Sequence, residues 1–283
     1  MTVGLGLRLA RPAERNRLAD FCGTVFDVSI DYFRRRWEYD PGAGSFGVVL
    51  ESGDEIIGYA HVFDRQLNAG QRVLRCAGLG NVAVSPAHRG RGHAGALVER
   101  CLDEAGPRGF EVSLLYTHIP GLYERNGYRV VTTADVLVNG DSGADWYEVA
   151  ELSGNDRRCY SRDHGTRRGT VVRDERYWKA RENWLPEEGW RIFKHRRADG
   201  YCLVQRWAEE WRIDEAAGGC AQMLREGTPL AGSWRWRLPA AYAEGLRPAP
   251  PTDSIAMMRQ LQEGIALRSL ESADAVFWVS DAF

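Results

Sequence analysis

Apolar and polar positions alternate at first along the chain, and then the period changes. Residues 7–12, LRLARP, read as a strand, and the AERNRLADFCGTVF that follows reads as a helix. In that segment Leu18, Phe21, Cys22, Val25 and Phe26 recur at helical spacing and form one apolar face. A second helical piece, SIDYFRRRWEY, runs to the Pro41-Gly42 stop. SFGVVLE and IIGYAHVFDRQL flank the turn residues Ser52-Gly53-Asp54 and predict a hairpin. QRVLRCAGLGNVAVS adds a further strand, with a bulge expected at Gly78 and Gly80. The helix after it runs to about Glu104. Its apolar stripe is Leu97, Val98, Cys101, Leu102 and Ala105, while Glu99, Arg100, Asp103 and Glu104 turn away. Strand FEVSLLYT, a helical turn in PGLYERNG and strands YRVV and ADVLVN complete a first domain expected at residues 1–143.

The remainder, residues 144–283, reads as a smaller, strand-rich domain. YWKARENWL is helical, and WRIFKHR and YCLVQRW flank Asp199-Gly200, a hairpin turn signal. WRIDEA, a short helix in AQMLREG, the alternating SWRWRL and the terminal DAVFWVSDAF follow. Between 157 and 197 the composition turns arginine-rich. Arg157, Arg158, Arg162, Arg167, Arg168 and Arg173 admit two readings, a local phosphate contact or a solvated linker paired with nearby acids. Trp234 and Trp236, alternating with arginines, suit one buried face of a strand.

Charge narrows the function classes. Lys and Arg total 37 against 39 Asp and Glu, so a net charge of −2 supplies no field to concentrate nucleic acid or an anionic membrane. The six cysteines lie far apart with no CxxC pair and no Cys/His cluster, which fits reduced thiols and no metal. No run approaches the ~20 apolar residues of a spanning helix, and the N-terminus lacks the marks of a cleaved leader. A cytoplasmic protein is expected, with no nucleic-acid or membrane partner and with homo-oligomerisation left open.

One stretch carries the chemistry: VAVSPAHRGRGHAGALVER, residues 82–100. GRGHAG fits the GxGxxG spacing of a dinucleotide turn, but that turn begins directly at the end of its fold's first strand. It also needs an acid ~20 residues on, at the end of the next strand. Here SPAHR intervenes, several strands come first, and Glu111 precedes its strand. A glycine-rich loop running straight into a helix suits a pyrophosphate, because backbone N–H groups converge there with the positive end of the helix dipole. Arg89 and Arg91 add charge at the rim.

The pattern VxVxPxxRGRGxA, Val82 to Ala94, resembles the acyl-CoA motif of the GNAT superfamily of N-acetyltransferases, and LYERNGY, Leu122 to Tyr128, resembles that family's second motif. The resemblance spans roughly residues 5–143. Within the superfamily the chain is similar to the Eis-type (enhanced intracellular survival) acetyltransferases, whose motif strand is also preceded by a turn like GLGNVAV. Those carry two GNAT-like domains and a third, sterol-carrier-like one; 283 residues accommodate the first two and are too few for the third. The resemblance implies a mixed α/β fold, a central mixed sheet flanked by helices, followed by a smaller GNAT-like domain without the CoA motif.

It also implies acetyl transfer from acetyl-CoA to the primary amine of a small, cationic acceptor, by direct attack in a ternary complex. Val82, Ala83 and Val84 would pair with pantetheine, and Arg89, Gly90, Arg91, Gly92, His93, Ala94 and Gly95 would hold the pyrophosphate. Tyr123 falls at the family's general-acid position, where a packed aromatic is the alternative; Tyr128 reads as a core or cofactor-wall ring. Phe283, whose terminal carboxylate would act as base in an Eis-type enzyme, competes with a packing role, and His118 is the other candidate base. Asp27, Asp31, Glu38 and Asp40, with Tyr32, Trp37 and Tyr39, suit either a cationic acceptor or a solvated helix face. A non-catalytic acyl-CoA-binding regulator is the rival reading.

Overall fold

The structure is a computed structural model, describing residues 4–131, 134–184, 189–207, 209–224, 226–238, 247–249 and 255–263, together with 267, 270, 275 and 277. Two sheets, each of seven strands among these residues, form its frame. The first unit runs β1 (Leu5–Leu9), α1 (Arg15–Phe26), α2 (Ile30–Glu38), β2 (Phe46–Ser52), β3 (Glu55–Asn68), β4 (Val73–Val84), α3 (His93–Ala105), β5 (Val112–Thr117), α4 (Pro120–Glu124) and β6 (Arg129–Val130). The second runs β7 (Ala134–Gly140), β8 (Trp146–Val149), α5 (Gly154–His164), α6 (Glu175–Trp184), β9 (Arg191–His195), β10 (Tyr201–Trp207), β11 (Glu210–Ala217), α7 (Cys220–Met223), β12 (Gly232–Leu238) and β13 (Arg247–Pro248). β14 (Ile255–Gln260) closes the series.

The strand orders are β1-β2-β3-β4-β5-β14-β6 and β13-β7-β12-β11-β10-β9-β8. Reversing the second shows the same plan twice. Four antiparallel strands are followed by one parallel step, β4 to β5 in the first sheet and β11 to β12 in the second. In each sheet the next strand comes from the other half of the sequence. β14 lies between β5 and β6, paired antiparallel with both, and β7 lies between β12 and β13 in the same way. The sheets therefore cross the division expected at residue 143 in both directions, with β7 in the second sheet and β14 in the first.

Helices cover both faces of each sheet. On β3, Tyr59 and Phe63 face α1 and α2, packing with Leu18, Cys22, Phe33 and Trp37. Ala60 and Val62, one residue out of phase, face α3 and meet Leu97, Val98, Cys101 and Leu102. That is the period-2 strand meeting the helical stripes read from the sequence. In the second unit Tyr160 and Trp178 cover one face with Ile192, Tyr201 and Leu203. Trp234 and Trp236 pack on the other, with Phe193 and Val204.

The units share a core as well as strands. Tyr177, Ala180 and Trp184 of α6 pack against Leu67, Leu74, Val112 and Leu114 of the first sheet and Met258 of β14. Two first-unit arginines lie over those rings, Arg36 at 4.9 Å from Trp184 and Arg65 at 5.5 Å from Tyr177.

The arginine-rich segment binds this unit's own acids. Arg157 pairs with Glu175 and Glu182, and Arg162 with Asp163 and Asp199. Arg173, fully buried, makes a two-pronged contact of 2.6 and 2.7 Å with Glu215, which also accepts from Arg181 at 3.2 Å. Those contacts support the paired-arginine reading over the phosphate one.

Helix α5, a mostly polar segment, and strands β8 and β14, short runs with no turn signal of their own, are not read from pattern. α5 buries Asp156, Cys159, Tyr160 and His164 and is started by a Ser153/Asp156 capping box. The Asp199-Gly200 hairpin forms as expected, with Gly200 at φ +86°; a Cβ there would strike the Ala217 carbonyl oxygen. Among the described residues no helix is long and apolar enough to cross a membrane. No group of three or more His, Cys, Asp or Glu is placed there to hold a metal ion.

Met257 and Met258 on β14 are fully buried. Met258→Ala should therefore cost about 2–5 kcal/mol and bring both units down in a single transition in a urea titration followed by circular dichroism. Two separated transitions would show that the exchanged strands do not couple the units.

Candidate active site

Parallel pairing of β4 with β5 covers only Cys76↔Val112, Ala77↔Ser113 and Gly78↔Leu114. Beyond it β4 runs on to Val84, β5 ends at Thr117, and a cleft opens between Leu79–Val82 and Tyr116–Ile119. The fork leaves one edge of β4 without a β5 partner, so its backbone groups are available to an extended ligand.

A bulge sits at the mouth of this fork. Between the pairs Tyr59↔Ala83 and His61↔Gly80, β3 has one residue and β4 has two, Asn81 and Val82. The bulge therefore falls just after the expected Gly78 and Gly80, and Asn81 takes the left-handed backbone, at φ +52°. Asparagine is among the few residues that tolerate this region. Trp37 Nε1 donates to Asn81 Oδ1 at 3.1 Å and fixes the side chain. Behind it the Trp37 ring stacks on His61 at 5.5 Å, and His61 Nδ1 shares a 2.6 Å hydrogen bond with the Tyr59 hydroxyl. Burial lowers His61 to about 4, against the pull of Asp40 and with help from Arg65, so it is neutral at pH 7.

From Val84 the chain makes a short 3-10 turn, Pro86–His88, and a loop that enters α3 at His93. Gly90 and Gly92 have φ of +75° and +81°, and the space where a Cβ would stand is open at both. Side chains at these positions would be strained and would crowd the loop mouth. Arg89 braces the loop, its Nε donating to the Val84 carbonyl at 3.1 Å, while Arg91 is exposed. The first N–H groups of α3 have no partner within the helix and face the same loop.

Tyr123, on α4, is 8% exposed and lines the cleft. Thr117 hydrogen-bonds its hydroxyl, and the Thr117 oxygen accepts from the Ile119 N–H at 3.0 Å. Burial raises Tyr123 to about 12, so it holds its proton throughout the neutral range. Tyr128 is a core ring, sharing a 2.6 Å hydrogen bond with Ser113 and meeting Tyr123 edge-on at 6.0 Å. The cleft holds about 690 Å³. The α1–α2 corner and the second unit close it, the latter through Trp190, Gln205 and Trp207.

Residues 7–131, which span β1 to β6, match the family described as acetyltransferase (GNAT) domain. The first unit is a GNAT acetyltransferase domain. An 86-residue segment is 38% identical to N-acetyltransferase Eis of Mycobacterium tuberculosis, covering 30% of this chain and 21% of that protein. Among solved structures, Eis1 from Mycobacterium abscessus aligns over 94% of this chain and 76% of its own, with a TM-score of 0.63 at 17% identity. A probable N-acyltransferase from Enterococcus faecalis aligns over 91% and 72%, with a TM-score of 0.67 at 15% identity. At these identities the structures speak for the fold alone. That fold is the mixed α/β arrangement expected from sequence, a GNAT sheet followed by a second, GNAT-like one.

Several residues singled out in the sequence come together on the GNAT domain. Val82, Ala83 and Val84 lie on the forked strand, Gly90 to Gly95 on the loop and the first turn of α3, and Tyr123 and His118 at the cleft. Phe283 lies outside the described residues. The acids are not brought in. Asp40 is buried against Arg65 at 2.6 Å, Asp31 faces Arg34, and Asp27 and Glu38 are exposed; none of the four lines the cleft. Asn81, Thr117, Arg36, Trp190 and Trp207 escaped sequence reasoning. Asn81 gave a faint signal as a polar residue in an apolar strand, whereas Trp190 and Trp207 read only as the ends of the WRIFKHR and YCLVQRW strands.

His164, buried with Nε2 donating to the Ala216 carbonyl at 2.8 Å, is lowered to about 4, as His61 is. Each histidine binds a proton in the unfolded chain from about pH 6.5 downward but resists it when folded. Stability is thus complete above that pH and falls as pH drops toward 4, by on the order of 3 kcal/mol per site. Urea midpoints at pH 7, 5.5 and 4.5 measure this; His61→Gln should flatten the slope, and an unchanged slope would clear His61 of the effect.

Proposed function

We propose that the protein is an acetyl-CoA-dependent N-acetyltransferase acting on a primary amine in a ternary complex, with the fork between β4 and β5 as the acyl-CoA site. The observation that carries this reading is the meeting of three features at one end of the fork: an open strand edge, a bare glycine loop on a helix N-terminus, and a buried, protonated Tyr123. The resemblance to Eis supports the reaction class.

The residues fit the co-substrate. The free edge of Leu79–Val84 matches an amide-bearing pantetheine arm, and the loop at Gly90–Gly95, with Arg91, matches a pyrophosphate. Acetyl-CoA would supply the activated acyl group, so the chain's part is positioning and proton transfer. The bulge at Asn81–Val82 lies in the cleft lining, and a backbone N–H of this part of β4 would polarise the thioester carbonyl. As the amine nitrogen bonds to the acyl carbon and the carbon–sulfur bond breaks, Tyr123 gives its proton to the departing sulfur. His118, exposed at the cleft wall, takes the proton that the amine must lose.

Tyr123→Phe should cut turnover ~100-fold or more with acetyl-CoA affinity almost unchanged; full turnover would remove Tyr123 from the mechanism. Arg91→Glu should weaken acetyl-CoA binding at least several-fold by repelling its phosphates, measured by titration calorimetry. Unaltered affinity would move the pyrophosphate away from the loop.

A further inference from the structure

Resting on the transferase reading, the lining of the cleft points to an acceptor class. We propose that the acceptor is a primary amine carried on a flat aromatic or arylalkyl body with a single positive charge, and not a polycation. Among the described residues ten large hydrophobic side chains are exposed, and four of them, Phe26, Val28, Ile119 and Trp207, line this one cleft. Tyr32 and Trp190 complete its walls. Scattered exposed apolar residues need no explanation, but a cluster in a concave site next to a catalytic group marks where an apolar body is held. A volume of about 690 Å³ accepts a one- or two-ring amine with room for the acyl end.

The polar lining is as selective as the apolar one. Asn81, Thr117, His118, Tyr123 and Gln205 are hydrogen-bonding groups, Arg36 is a cation, and among the described residues no carboxylate lines the cleft. A polyamine or aminoglycoside would bring several ammonium groups out of water with no carboxylate among the described lining residues to receive them, and with a guanidinium alongside. One aromatic wall already carries the protein's own cation, since Arg36 lies 5.8 Å from the Tyr32 ring, which leaves that face less favourable for a second positive charge. A single amine reaching toward Tyr123 loses its proton in the reaction and leaves only an apolar body in the cleft.

The test is kcat/KM of the full chain with acetyl-CoA and four amines, 2-phenylethylamine, tryptamine, spermidine and kanamycin, with products confirmed by mass. The arylalkylamines should exceed both polycations by roughly ten-fold or more. Trp207→Ala should lower their kcat/KM by a similar factor and that of spermidine by clearly less, because a linear polyamine has no ring to lay on the indole. Phe26→Asp, at an exposed position, should shift preference toward spermidine, and a thermal melt of each variant confirms folding. Preference for spermidine or kanamycin, or an equal loss on all amines in Trp207→Ala, would overturn the acceptor class and leave the transferase intact. Acetylation of no amine, despite acetyl-CoA binding by calorimetry, would overturn both.

Discussion

Each sheet is completed by a strand that the other half of the chain supplies, and this reciprocal pairing fixes everything else. β14 makes a six-residue antiparallel ladder with β5 and a shorter one with β6; β7 makes a seven-residue ladder with β12 and a shorter one with β13. A ladder has one register at which apolar side chains meet the core, so the two units are locked at a defined angle and separation. The cleft is built across that junction. Its floor is the β4–β5 fork of the first sheet, and part of its wall is Trp190, Gln205 and Trp207 of the second unit. With the units free to move, those side chains would have no fixed place in it.

Within the first unit the fork itself is held open by packing. Parallel pairing ends after three residues because a bulge at Asn81–Val82 turns the far half of β4 away from a straight course. The strained backbone at Asn81 is held by the Trp37 indole, and Trp37 is held in turn by His61, Tyr59 and Phe33. A buried aromatic layer under α2 thus sets the backbone that lines the cleft. The second sheet repeats the strand plan with a different outcome. Its helix after β11 has four residues, and the sequence entering it, GGCAQM, lacks the arginine-glycine loop. Buried charges occupy its fork, Arg212 with Asp214 and Arg237 with Asp135. The second unit therefore acts as wall and brace.

Sequence alone determined what depends on neighbours along the chain. The apolar stripe of α3, the β2–β3 and β9–β10 hairpins, the glycine loop before α3 and the placement of Tyr123 after β5 are all local patterns, fixed by helical or strand period and by turn chemistry. The RGRGHA loop was legible for the same reason, since the loop and its helix are contiguous. Tertiary structure decided what depends on residues far apart in the chain. β14 was invisible because IAMMRQ has no turn signal of its own and becomes a central strand only between β5 and β6. The acids of the FDVSIDYFRRRWEYD segment have suitable chemistry for a cationic acceptor, yet a helix turns its polar face outward, and the buried Arg65 claims Asp40. The cleft wall joins residues 26, 119 and 207, which no sequence period connects. Long-range strand pairing brings them together.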